Sequence, residues 1–168
     1  MSVPECDRDT SEIQFLNTAR ELELYTIRKV VNFPKRYTFY VSQPLAALAT
    51  QIHTDVKIGN SIFPTNAHEA QMRLDYFIKA KAEINALVSE IEVAKELFEI
   101  DDNSMKYWMS LVDKELALLK GLIKAERKKY KKMFKEGNNN IILYWIGFLE
   151  RELKALKDKI KQQIGQGV

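Results

Sequence analysis

A chain of 168 residues, 46% hydrophobic and 29% charged with six glycines and four prolines, has the composition of a helical globular protein of about one domain. No apolar run approaches the ~18 residues of a membrane span and the N-terminus carries no signal-peptide pattern, so a cytoplasmic setting without a membrane partner is expected. The net charge of +3 hides a strong polarity: residues 1–119 hold 13 basic and 18 acidic side chains, residues 120–168 hold 13 and 5.

In chain order, residues 1–9 are polar, contain Pro4 and read as a disordered tail, with Thr10 or Ser11 as the cap of a first helix over 11–32. Its apolar residues form two adjacent stripes, Phe15, Ala19, Leu22, Val30 and Ile13, Leu16, Leu24, Ile27, Val31, a width that calls for more than one neighbouring helix. Phe33-Pro34 ends it, because proline pushes the preceding residue out of the α region. After the basic turn Lys35-Arg36-Tyr37, a second helix starts near Thr38 or Ser42; Pro44 favours Ser42 as the cap of a helix over 42–58, or a kink there, with Gly59-Asn60 as a left-handed stop. Thr65 or Asn66 caps a third helix over 66–98, whose residues Phe77, Ala80, Ile84, Leu87, Ile91, Ala94 and Phe98 alternate gaps of three and four. Asp101-Asp102-Asn103-Ser104 turns the chain into a fourth helix over 104–135, and Gly137-Asn138-Asn139-Asn140 separates it from a fifth over 141–164. The expected fold is all-α, an up-and-down antiparallel four-helix bundle over 10–136 with an additional C-terminal fifth helix.

The fourth helix draws attention for its change of character. Met105, Trp108, Val112, Leu116, Leu119 and Ile123 make one apolar stripe, which Glu126 interrupts and Tyr130 and Met133 resume. From Lys124 to Lys135 there are seven cations against the one anion Glu126. Lys120, Lys124, Arg127, Lys128 and Lys131 recur at gaps of three and four, a continuous basic ridge, with Lys129 and Lys132 to its side. Such a ridge can follow a phosphate backbone without reading bases. The bland alternative is a solvated helix face, the commoner fate of a charge run. The fifth helix echoes the fourth at an offset of 37 residues: Tyr107-Trp108, Glu115-Leu116, Leu119-Lys120 and Ile123-Lys124 recur as Tyr144-Trp145, Glu152-Leu153, Leu156-Lys157 and Ile160-Lys161. Either a duplicated helix or convergence on one composition accounts for this; on the first, Trp145 docks in a groove as Trp108 does.

No catalytic or metal-binding pattern accompanies these features. Cys6 is alone in a polar segment, and His53 and His68 lie in different helices, where structural or solvent roles are the ordinary ones. There is no glycine-rich phosphate loop, serine-nucleophile motif or Glu-x-x-His pair, and Asp75, Glu83 and Glu90 have the spacing of surface ion pairs. No enzyme, cofactor, metal or small-molecule substrate is expected.

Phe33-Pro34-Lys35-Arg36-Tyr37, between a first and a second helix, resembles the hinge of bacterial and phage four-helix bundle proteins. These include the 23S rRNA intervening-sequence proteins and Avd, the accessory variability determinant of diversity-generating retroelements. Ile58-Gly59-Asn60-Ser61-Ile62 falls where those proteins leave their second helix, and Leu118-Leu119-Lys120-Gly121 with its basic continuation resembles the end of the Avd-like last helix. The resemblance covers roughly residues 10–130; residues 131–168 depart from the short family pattern. It implies a non-enzymatic adaptor that assembles as a homopentamer, binds a reverse transcriptase and engages its template RNA. The family's basic surfaces carry over by position onto Lys35, Arg36, Lys120, Lys124, Arg127 and Lys128. With Lys131 and Lys132 from the ridge, these make the candidate nucleic-acid-binding set. The competing class is a purely protein-binding helical scaffold whose lysines meet an acidic partner.

Overall fold

The computed structural model describes the backbone of residues 5–165 and the side chains of residues 13–137, 142, 143, 145–154 and 156. Every regular element among them is helical: α1 (Glu5–Val30), α2 (Gln43–Ser61), α3 (Ala67–Leu97), α4 (Asp102–Lys129) and α5 (Lys131–Gly165). A 3-10 turn over Lys35–Tyr37 and a π turn over Thr38–Ser42 lead into α2. Among the described residues no helix is long and apolar enough to cross a membrane.

Helices α1 to α4 enclose one core, with contacts running α1 to α2, α2 to α3, α3 to α4 and α4 back to α1. The regular stripe of α3 lies at its centre: Phe77, Ala80, Ile84, Leu87 and Ala94 are inaccessible to solvent and Ile91 nearly so. Each large side chain buried there contributes about 1.5–3 kcal/mol. Opposite them stand Leu22 of α1, Leu45 and Ile52 of α2, and Trp108 and Leu119 of α4. The Trp108 indole Nε1 donates to Thr26 Oγ1 at 2.9 Å, so the largest core side chain buries no unsatisfied donor. Of the two stripes on α1, Phe15, Ala19, Leu22 and Val30 are buried, whereas Ile13, Leu24 and Val31 of the second are exposed.

The helix ends show which local signals operate. Asn66 Oδ1 accepts from Glu69 N at 3.0 Å, and the Glu69 carboxylate returns to Thr65 N at 2.7 Å, a reciprocal cap that starts α3. Within the Asp101–Ser104 turn, Asp101 caps α4, accepting from Ser104 N at 2.9 Å. Four boundaries differ from expectation. First, α1 starts at Glu5, ahead of Thr10 and Ser11; Glu5, Asp7 and Asp9 suit the positive end of a helix dipole. Second, Ser42 is no cap: the chain is already helical through it, and Pro44 sits in the first turn of α2.

The third concerns Gly59, which is no left-handed stop: no glycine among the described residues has a positive φ and α2 runs on to Ser61. A Cβ on Gly59 would lie 2.7 Å from Phe77 Cε1, so its lack of a side chain admits the Phe77 ring. Arg73 Nη1 then closes the end of α2, donating to Gly59 O at 2.8 Å, Ile62 O at 2.9 Å and Asn60 O at 3.1 Å. The fourth is that residues 137–140 do not break the chain. The break is at Tyr130, where φ −98° and ψ 13° end α4, and α5 runs without interruption from Lys131 to Gly165 rather than over 141–164. Gly137 serves a helix crossing, since a Cβ there would stand 2.7 Å from Ala67 Cβ at the start of α3.

Candidate nucleic-acid interface

The lower half of α4 is positioned by its inward residues. Leu119, Ile123, Glu126 and Tyr130 face the body, which turns Lys120, Lys124, Arg127 and Lys128 to solvent. Lys131 and Lys132 are also exposed, but they belong to α5 and follow the bend at Tyr130. The ridge is therefore two segments joined at one residue. Lys132 lies 3.9 Å from Glu136, an exposed pair one turn apart. Lys120, Lys124, Arg127, Lys128 and Lys131 make no ion pair with a described residue.

The acid that interrupts the run points the other way. Glu126 is buried, and Arg73 Nε donates to its Oε2 at 2.9 Å while the guanidinium stacks 5.1 Å from the Phe77 ring centre. Glu126 thus neutralises an internal cation and subtracts nothing from the field outside. Arg127, Lys128 and Lys129 lie in the last turn of α4, where cations are also favoured by the helix dipole.

The structure does not bring Lys35 and Arg36 to this ridge. Both are exposed in the turn after α1, beside the α3–α4 connection, where Tyr37 and Phe33 pack on Phe98 at 5.1 and 4.5 Å. Tyr25 OH donates to Ser104 O at 3.0 Å, so the end of α1 lies against the start of α4. From Ser104 to Lys124 the helix rises about 30 Å. Arg36 stacks 4.9 Å from the Tyr37 ring and lines a cleft with Glu99 and Asp101, acids that offset its charge. The candidate set therefore divides into a pair at one end and six residues at the other.

Beside the ridge runs a groove of about 1000 Å³ between α1, the α2–α3 connection and α4. Ile13, Phe63, Leu118 and Leu122 line it, Gly121 leaves its α4 wall open, and Lys129 and Tyr130 stand at its edge. Phe63 is 83% exposed. Periodicity gave no sign of this groove, because its walls come from three separate elements.

Two further polar features lie inside the body. Glu115 of α4 is fully buried, neither carboxyl oxygen has a hydrogen-bond partner, and burial pushes its carboxyl up to about 8. Glu83 of α3 is no simple surface ion-pair residue: burial first, then the neighbouring Asp55 carboxylate, raise it to about 7. Lys79 Nζ sits 2.9 Å from Asp55 Oδ2 and 3.6 Å from Glu83 Oε1, and Gln51 donates to Asp55 Oδ1 at 3.0 Å. His53 Nδ1 lies 2.6 Å from Glu23 Oε2, tying α2 to α1. No group of three or more His, Cys, Asp or Glu side chains among the described residues is placed to hold a metal ion.

Trp145 does not repeat the packing of Trp108: it is 55% exposed, with its ring edge-on to Phe148 at 5.8 Å. No protein-family model, curated protein or solved structure matches the chain, so the likeness to the Avd and intervening-sequence proteins rests on the residues quoted for it.

Proposed function

We propose that this protein is a non-enzymatic, self-associating accessory factor that binds RNA along α4 and docks a reverse transcriptase, as its resemblance to Avd implies. The proposed arrangement of α1 to α4 is the up-and-down four-helix bundle, which the closed cycle of helix contacts and the short connections favour. One observation carries the functional reading. Glu126 is withdrawn into a buried pair with Arg73, while five neighbouring cations stay exposed and unpaired with any described acid. A ridge that only solvated a helix would gain from acids interleaved one turn away. This one has its single acid removed.

The contact is to phosphates, so binding has little sequence preference and weakens with salt. For a single strand each neutralised phosphate steepens the dependence by roughly 0.7 log units of affinity per log unit of salt. The test is a fluorescence-anisotropy titration of single-stranded RNA with the parent and with Lys124, Arg127, Lys128 and Lys131 all changed to Glu. Loss of binding with unchanged helicity and particle mass supports the reading. Binding equal to the parent transfers the ridge to an acidic protein partner, the scaffold alternative. Docking of the reverse transcriptase is read separately, by co-purification with the same variant.

A further inference from the structure

Helix α5 continues well past its contact with α3 at Gly137 and carries a row of exposed apolar side chains. Ile142, Leu149, Leu153 and Leu156 each keep more than half of their surface in solvent, and Trp145, Ile146 and Phe148 border them. We propose that this face binds the α5 of a second copy of the chain, antiparallel, about a two-fold axis at Leu149. The proposal keeps the self-association of the reading above but gives it a two-fold contact in place of the pentamer that the resemblance implies, on residues 131–168, where the chain departs from the family pattern, and it stands whether or not the ridge binds RNA.

Three observations select this occupant. The first is spacing. Ile142, Trp145, Leu149, Leu153 and Leu156 fall within an arc of about 80° at 100° per residue. Their gaps of three, four, four and three are symmetric about Leu149. An antiparallel copy therefore sets Ile142 against Leu156, Trp145 against Leu153 and Leu149 against its own counterpart. Arg151 and Lys154, both exposed, fall on the far side of the helix. The second is area. Seven large apolar side chains on and beside this face, Ile142, Trp145, Ile146, Phe148, Leu149, Leu153 and Leu156, each about half exposed, offer roughly 650 Å² per copy. That exceeds the ~300–600 Å² patch usual on a monomer and approaches the ~800 Å² per partner of a specific interface.

The third is charge. A parallel pair would bring two bodies to the same end of the paired helices, with the Lys124–Lys131 ridges of both copies side by side. The antiparallel pair puts them at opposite ends. Twelve residues separate Gly137 from Leu149, about 18 Å of helix on each side of the axis, so the two ridges lie several Debye lengths apart. The pairing is isologous and closes at two copies.

The test uses the full chain with Cys6 changed to Ser. Ile142→Cys and Leu156→Cys proteins are treated with a short bismaleimide, each alone and mixed, beside Leu143→Cys on the other side of the helix. Linked dimers in the mixture, with little from any protein alone, are the expected result. Self-linking of Ile142→Cys and of Leu156→Cys in separate tubes would mean a parallel pair and overturn the proposal. Light scattering on Leu149→Arg should give half the parent's particle mass with the same helicity and RNA affinity; an unchanged mass, or a parent that is monomeric at tens of micromolar, overturns it. Because RNA affinity is read on the same variant, failure of the pairing is distinct from failure of the ridge.

Discussion

Arg73 and Glu126 meet at 2.9 Å inside the protein, and the same guanidinium holds the three carbonyls that end α2. One side chain therefore ties together α2, α3 and α4. Removing either partner strands a buried charge, which costs about 3–5 kcal/mol. Arg73→Ala should fall at the upper end, because it also leaves backbone carbonyls unsatisfied. Urea unfolding of Arg73→Ala, Glu126→Ala and Arg73→Met/Glu126→Leu checks this, with the double variant closer to the parent than either single one.

Glu115 makes stability depend on pH in an unusual direction. Its folded carboxyl lies at about 8, above the usual 4.5, so the folded state holds the proton more tightly. Its contribution is complete below about pH 4.5 and is lost as pH rises to about 8, at up to ~1.4 kcal/mol per pH unit. Glu83 acts in the same sense up to about 7. Glu115→Gln should flatten the stability profile between pH 7 and 8, where Glu83 has largely titrated. Denaturant midpoints across pH 5–9 for parent and variant are the measurement.

Two glycines should respond oppositely to alanine. Gly59→Ala drives a methyl to within 2.7 Å of the fully buried Phe77 ring, an overpacking that costs about 1–3 kcal/mol. Gly121→Ala meets nothing within 4 Å and should gain roughly 1 kcal/mol of helix propensity. Thermal denaturation of both variants reads the difference in sign.

Charge reversal at the hinge should matter less than reversal on the ridge. Lys35→Glu/Arg36→Glu alters an end of the body already flanked by Glu99 and Asp101, about 30 Å of helix from Lys124. It should leave most of the RNA affinity and the salt dependence in place. Affinity losses equal to those of the four-residue ridge variant would show that the RNA spans the whole length of α4.

Ile84→Asp should unfold the chain, since it puts a charge at a site with no solvent access in the middle of α3. Loss of the helical circular dichroism signal checks it.

The sequence was most legible where local and tertiary signals agree. In α3 the Asn66–Glu69 cap and the three–four spacing both serve the buried face, and the expected span of 66–98 lies within a residue of the observed one at each end. Glycine misled where its role is contact. Gly59 and Gly137 carry the composition of a turn, but each admits a neighbour, Phe77 or Ala67, that lies far along the chain. Glu126 read as a flaw in an apolar stripe because its partner Arg73 is 53 residues away. The candidate cations were visible as a run, but their separation into two ends depends on which helix termini meet, a tertiary fact that spacing does not encode.

The joint at Tyr130 has a mechanical consequence. No loop separates α4 from α5, and about 40 Å of helix extends beyond the Gly137 contact. A rotation of ten degrees at the Tyr130 joint would swing the far end of α5, about 52 Å away, by roughly 9 Å while moving Lys131 and Lys132 very little. Lys124 to Lys128 stay fixed to the body through Ile123 and Glu126. A small change of angle at the joint would thus move whatever α5 grips without dragging the cationic track with it, while a strand lying along α4 stays where it is.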